Sequence, residues 1–256
     1  MILKTIPPSQ HLTPYIKEFW WLENDQYDHR ELVYPTAELQ ILFHYRKPFR
    51  KPNQSGILEA QPQMAVCGQN LMSGEVISEK GSGVIGVVFH TYSAHPFLHL
   101  PVDKLTNLEV EVADIYKDWK THENRFMDYN SQVDRIKLIE KFLSGKLEIK
   151  NPVHFNIIRE SIFELKQHGG RYSVRELAKK YFLSERSFER LYKKHVGISA
   201  KKTADIFRFN QSVTLLTKEH SVTEISYLSG FYDQAHFIKN FKQFMGMTPK
   251  QYRKLI

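Results

Sequence analysis

A single cysteine, Cys67, stands among 256 residues. It excludes an internal disulfide and any zinc site built on several thiolates. No apolar run approaches the ~20 residues that cross a bilayer. The opening, Met1 to Trp21, carries Pro, His and Glu and no unbroken apolar core, so no secretory leader is expected and a reducing cytoplasm is the default. Also missing is the H-x-H spacing that sets two imidazoles on one face of a strand, with a glutamate soon after. His90, His95 and His99 lie five and four apart, and His44 closes another strand-like run. They are read as ordinary buried or surface histidines, and Cys67 as a small core residue. No metal, cofactor or catalytic residue is assigned.

Charge is present but uneven. Residues 151–256 hold 19 Lys and Arg against 9 Asp and Glu, whereas residues 1–150 hold 17 against 19. All of the net +8 therefore comes from the last two-fifths of the chain. An excess of this kind suits phosphate neutralisation with counterion release, or simply a solvated basic surface. At 256 residues there is room for two modest domains. The composition change near Asn151-Pro152 divides them as 1–150 and 151–256.

The first part reads as mostly β. Pro7, Pro8 and Pro14 break up the start, and Leu12 to Trp21 is dense in aromatics. Strands are expected at Val33–Pro35, Leu39–Tyr45, Ala65–Gly68, Val76–Ser78 and Val84–His90, with a loop-rich stretch from Lys47 to Pro62. Short strands between turns suggest a small barrel or sandwich. Helices are expected at Val110–Trp119 and Gln132–Leu143, the second with an apolar stripe through Ile136, Ile139 and Leu143 and a stop at Gly145. Trp20, Trp21, Tyr34, Phe43, Tyr45, Phe89, Tyr92 and Phe97 suit either an apolar or sugar-stacking pocket or a barrel core.

The second part opens with a helix from His154 to Gln167 ended by Gly169-Gly170, and then repeats itself. Ser173-Val174-Arg175-Glu176-Leu177-Ala178 parallels Ser221-Val222-Thr223-Glu224-Ile225-Ser226 at an offset of 48. Arg190–Lys193 and Gly197–Ser199 parallel Lys239–Lys242 and Gly246–Thr248 at an offset of 49, so one extra residue enters the second turn, near Gly230. Each unit has a Ser N-cap with Glu three residues on, a small residue at Ala178 or Ser226, a turn, a second cap at Ser184 or Asp233, and a second helix. That is helix-turn-helix, twice. Lys201 to Leu216 joins the units as one helix of ~24 Å, which suits two reading helices ~34 Å apart in successive major grooves.

Helical position assigns the contacts. In the first reading helix Phe188, Leu191 and Tyr192 turn inward, while Arg186, Ser187, Glu189 and Arg190 turn outward. Arg186 and Arg190 lie one turn apart and suit forked contacts to guanine, and Glu189 suits cytosine N4 or a pair with Lys193. In the second, Phe237 and Phe241 turn inward, and Gln234, Ala235, Ile238 and Lys239 turn outward to adenine, thymine methyl and phosphate. Lys193, Lys194, Arg208 and Lys242 are assigned to phosphates, where they position rather than specify. Arg253 is assigned to phosphate or to the core.

Gly230-Phe231, Asp233, Phe237, Lys239, Phe241-Lys242, Gly246-Met247-Thr248-Pro249 and Tyr252-Arg253 resemble the C-terminal signature of the AraC/XylS family of transcription regulators. The stretch departs from it only in Lys239, where arginine is commoner. Leu12, Tyr15, Ile16, Phe19 and Trp20, then Tyr34-Pro35, Cys67-Gly68 and Gly86 to Pro101, resemble the N-terminal domain of a subset of those regulators, with Thr91 where proline is frequent. The resemblance implies a cupin-like sensing or dimerisation domain and a double helix-turn-helix that binds double-stranded DNA. It also implies a small-molecule effector, a homodimer and a contact to RNA polymerase, and leaves both activation and repression open. A cupin-type metal enzyme fused to a DNA-binding tail is the alternative, and the missing H-x-H argues against it. A DNA-repair methyl acceptor on the same reader would need a zinc-held cysteine cluster, which one cysteine cannot supply.

Overall fold

The computed structural model describes residues 1–53 and 55–256. Gln54, inside the stretch read as loop, lies outside them. Residues up to about 150 form a double-sheet domain with helices packed on one side, and the remainder is all helical.

Among the described residues, ten strands build two antiparallel sheets. They are β1 Ile2–Ile6, β2 Ile16–Asn24, β3 His29–Val33, β4 Gln40–His44, β5 Arg50–Pro52, β6 Leu58–Ala60, β7 Met64–Cys67, β8 Gly74–Ser78, β9 Ser82–Phe89 and β10 Glu109–Glu111. One sheet runs β1-β2-β9-β4-β7-β10 and the other β3-β8-β5-β6. The larger sheet turns Phe19, Ile41, Phe43, Val66, Ile85, Val87 and Phe89 toward helices α1 His95–Leu98, α2 Val112–Ile115, α3 Lys120–Asp128 and α4 Gln132–Lys146. Alternation along β2, β4 and β9 puts these residues on one face, and the opposite face looks at the smaller sheet. Trp119 sits fully buried at the centre, its indole against Phe43 and Phe142 at 4.9 and 4.8 Å between ring centroids.

Some expectations shift. The Pro-broken opening forms β1 and β2, and β2 gains order from pairing along its length with β9. The helix expected at Val110–Trp119 divides into the end of β10, α2 and a 3-10 turn at Lys117–Trp119, because Val110 pairs with Val66 across the sheet edge. Gly145 lies inside α4 rather than ending it.

The helical part comprises α5 Pro152–Gln167, α6 Val174–Lys180, α7 Glu185–Val196, α8 Ala200–Leu216, α9 Val222–Leu228, α10 Gln234–Met245 and α11 Pro249–Tyr252. Asn151 caps α5, with Pro152 at its first turn. Ser173, Ser184, Ser221 and Asp233 each accept from the backbone N–H three residues on. The reciprocal half of the box forms at Ser221 with Glu224, whereas at Ser173 only the hydroxyl bond is present. Ala178 and Ser226 are buried where the helices of each unit approach closely.

The extra residue in the second turn is Tyr232. Leu183 N–H donates to Ala178 O, and Phe231 N–H to Ser226 O, so the turns match through those residues. Phe182 and Gly230 then hold equivalent places, both left-handed, at φ 56 and 75. Tyr232 follows with no counterpart and stands 88% exposed.

Phe209 on α8 joins the parts: it is fully buried against Phe241, Phe244 and Tyr34. Phe209→Ala should lower unfolding stability by about 3–5 kcal/mol through the cavity it leaves. Urea unfolding followed by helical circular dichroism measures this, and a cost below 1 kcal/mol would show that the junction repacks.

Candidate nucleic-acid interface

Each unit sets its second helix by its apolar side. In α7, Phe188, Leu191 and Tyr192 are buried, and in α10, Phe237, Phe241 and Phe244 are buried. Tyr192 Oη shares a hydrogen bond of 2.8 Å with Ser161 Oγ on α5, which fixes the rotation of α7 about its own axis. The helix faces opposite these residues are thereby left to solvent.

On the outer face of α7, Arg186 and Arg190 are exposed and Ser187 is half-buried, its hydroxyl receiving that of Ser184 at 2.9 Å. Glu189 has another partner: its carboxylate accepts from Ala200 N–H at 3.1 Å, closing the N-terminus of α8. On α10, Gln234, Ala235 and Lys239 are exposed. Thr223 Oγ donates to Gln234 Oε1 at 3.0 Å, leaving the amide nitrogen as the open donor. Ile238 is half-buried against the helical core.

Of the residues assigned to phosphate, Lys193, Lys194 and Lys242 are exposed. Arg208 is not: its guanidinium donates to Gly170 O and to Asp205, tying α8 to the end of α5. Arg253 likewise donates to His220 O at 2.7 Å. The correction has one cause for Glu189 and Arg208. Helical position assigns a face, but a long side chain also meets whatever loop or helix end lies beside that face.

The histidines go to separate places. His44 Nδ1 lies 3.2 Å from Pro62 O, His90 Nε2 lies 3.1 Å from Thr13 O, and His99 lies 3.6 Å from Glu148. Among the described residues no group of three or more His, Cys, Asp or Glu is placed to hold a metal. Cys67 is half-buried, and desolvation pushes its thiol well above the ordinary range.

The double-sheet domain grips both reading helices at equivalent places. Gly197 and Gly246 end α7 and α10 in left-handed geometry, and the final carbonyls there have no partner within the helix. Thr106 Oγ donates to Gly197 O at 2.8 Å. Ser73 N–H donates to Phe244 O at 2.7 Å, and Ser73 Oγ to Met245 O at 2.8 Å. No pattern in the sequence points to Thr106 or Ser73, because each acts across the two domains as an isolated loop hydroxyl.

The model of the helix-turn-helix domain matches residues 177–255, which spans α6 to α11. The C-terminal part is thus similar to a helix-turn-helix domain. The Msm operon regulatory protein of Streptococcus mutans is 32% identical over 123 residues, covering 46% of this chain and 44% of that protein. The transcriptional activator RhaS of Salmonella arizonae is 33% identical over 79 residues, covering 30% of this chain and 28% of RhaS. The matches thus span less than half the length of either regulator. Among solved structures, ToxT of Vibrio cholerae aligns with 100% of this chain and 99% of its own at 12% identity and a TM-score of 0.46. Outside the helix-turn-helix match, residues 4–111 match a domain of unknown function, DUF6597.

A stacked imidazole pair lies where that domain meets the sheets. His95 on α1 and His195 on α7 stand 4.3 Å apart between ring centroids. Burial first, then the neighbouring Lys194, lowers His95 to about 4, and burial first, then His95, lowers His195 to about 3. An unfolded chain takes up these protons near pH 6.5, before the folded one does. Stability is therefore whole above pH 6.5 and falls as the pH drops toward 4. Replacing both residues with Phe should flatten part of that fall in urea midpoints between pH 7 and 5. An unchanged slope would assign the fall elsewhere, for instance to His44, which burial also lowers to about 4.

Proposed function

We propose that this chain is a sequence-specific, DNA-binding transcription regulator that reads two successive major grooves. The carrying observation is the pair of equivalent capped helices, α7 and α10, each fixed by a buried aromatic face and each presenting polar and basic side chains outward. On α7, Arg186 and Arg190 read bases with Ser187 beside them, and on α10, Gln234, Ala235 and Lys239 do so with Ile238 at the margin. Lys193, Lys194 and Lys242 hold phosphates. Residues 151–256 form the reader, and residues 1–150 form a sensing domain whose inter-sheet cavity takes a small-molecule effector. Support for a separate reader comes from the two apolar clusters, one centred on Trp119 and one on α8. A second copy of the chain and RNA polymerase are the further partners implied by the relatives' regulatory role.

Retention of genomic fragments by the full-length protein tests this at a stated salt concentration. The expected result is a motif with two half-sites about one helical turn apart. Retention that depends on salt but carries no motif would sink the bipartite reading. Arg186→Ala and Arg190→Ala should each cost about 1–3 kcal/mol on the recovered site and relax preference at one position. Lys242→Ala should instead weaken all sequences evenly and reduce the salt slope by about 1. Equal losses on all sequences for the arginine variants would move Arg186 and Arg190 to the phosphates.

A further inference from the structure

The two sheets enclose a cavity of about 380 Å³, within the usual range for small-ligand sites. On the larger sheet, the face that looks into it carries an unusual line of residues. The register places Glu109, Cys67, Gln40, Val88 and Glu18 side by side across β10, β7, β4, β9 and β2. Glu109, Gln40 and Glu18 line the cavity where an ordinary sandwich interior is apolar. The adjacent line contains Gly86, opposite Trp20. A Cβ at Gly86 would overlap the Trp20 indole, so this glycine lets the ring lie flat over the sheet. Trp20 Nε1 donates to Gln40 Oε1 at 3.4 Å.

The polar groups ask for a donor. Gln61 is 6% exposed, and its amide nitrogen donates to Glu109 at 2.9 Å. A carboxylate only accepts, so the nitrogen must face it, and the buried Gln61 Oε1 is left without a partner at the cavity wall. Buried acceptors of this kind are costly unless something fills them. Charge points the same way. Glu18, Glu31, Glu38 and Glu109 line the space with Lys51 as the balancing cation. Lys51 is bound to Glu109, and Glu38 is paired with Lys17 at 2.9 Å. Glu18, half-buried, and Glu31, exposed at the cavity mouth, have neither an ion pair nor a hydrogen-bonded side chain among the described residues. Trp20, Tyr34 and Phe49 supply aromatic surface, which favours a cation over a neutral body.

We infer that the inter-sheet cavity binds a small organic cation, an ammonium or guanidinium group on a compact apolar body. The inference rests on reading residues 1–150 as the sensing domain. The charged head meets Glu18 and Glu31 at the β2 end of the cavity, and the body covers Trp20. The cavity also has a route to the reading helices. Gly68, Gln69 and Asn70 line it directly after Cys67. Asn107 N–H donates to Gln69 O, and Leu71 N–H to Asn107 Oδ1, both at 2.9 Å, so the two loops move as one. Those loops carry Ser73 and Thr106, the residues that hold the ends of α10 and α7. An occupant pressing on residues 68–70 acts on both.

The test is calorimetric titration of the full-length protein with 2-phenylethylammonium and butylguanidinium. Their counterparts are the anion 3-phenylpropionate, neutral 2-phenylethanol and the polyol inositol. Saturable binding of a cationic probe, at least tenfold tighter than its counterparts and accompanied by a change in tryptophan emission, is the expected result. Glu31→Gln and the Glu18→Gln/Glu31→Gln pair should weaken it about tenfold or more while circular dichroism stays unchanged. Tighter binding of the carboxylate or the polyol would overturn the ligand class. So would cation binding that ignores both variants, or no saturation by either cation at millimolar concentration. Fragment retention by ligand-free protein is read separately, so loss of the ligand class leaves the DNA-reading result standing. In the coupling arm, the bound cation should change DNA affinity several-fold in the wild type and less in Ser73→Ala. Equal change in both would break the proposed route.

Discussion

The last carbonyls of a helix have no partner within it, and in this chain α7 and α10 leave theirs to another domain. Thr106 and Ser73 supply the missing donors at Gly197 and at Phe244 and Met245. Each bond is modest, about 0.5–1.5 kcal/mol net. Their value lies in geometry. Two equivalent points, one on each reading helix, are tied to loops that are themselves hydrogen-bonded to one another through Asn107. The spacing of the reading helices is thus set twice, by the rigid α8 between the units and by the sheet domain across them. A movement of one loop against the other has to be absorbed at the readers.

The junction is apolar as well as hydrogen-bonded. Ala37 is buried within the helical core, and Leu32, Tyr34, Leu71 and Tyr92 pack on it from the sheet domain. The stacked His95–His195 pair sits at the first reader's end of the same seam. Neutral imidazoles pack there as flat, weakly polar plates. Their charged forms would face each other and Lys194, with no carboxylate paired to either ring among the described residues. Proton uptake therefore opposes contact at the α7 end and leaves the Ser73 end, which has no titrating group in its bonds, untouched.

Periodicity and caps made the helical half legible. Ser173, Ser184, Ser221 and Asp233 cap the helices they precede, and the 48 and 49 offsets carry through to equivalent hydrogen bonds at Leu183 and Phe231. Local signals sufficed because each of these features is settled within a few residues. β1 and β2 were illegible for the opposite reason: prolines dominate that stretch, while order comes from β9, far along the chain. Glu189 and Arg208 carried the right surface chemistry but meet backbone groups of Ala200 and Gly170. The polar line through Glu18, Gln40 and Glu109 emerges only from register, since each residue sits alone in an otherwise apolar or alternating strand.

The two units are not used alike, and their turns show it. Gly230 holds a left-handed position that costs glycine little, whereas Phe182 holds the same position at φ 56 with its ring 97% exposed. Backbone strain with no compensating burial means that the first turn gains nothing from this aromatic within the isolated chain. The second turn instead lengthens by Tyr232, also an exposed aromatic, directly before the cap Asp233, whereas Phe182 lies two residues before Ser184. Of the two exposed rings, Phe182 alone sits in the left-handed region, where glycine would be accommodated more easily. The repeat is therefore close in its helices and caps and differs in the turns, where the backbone position is the same and the residue that fills it is not.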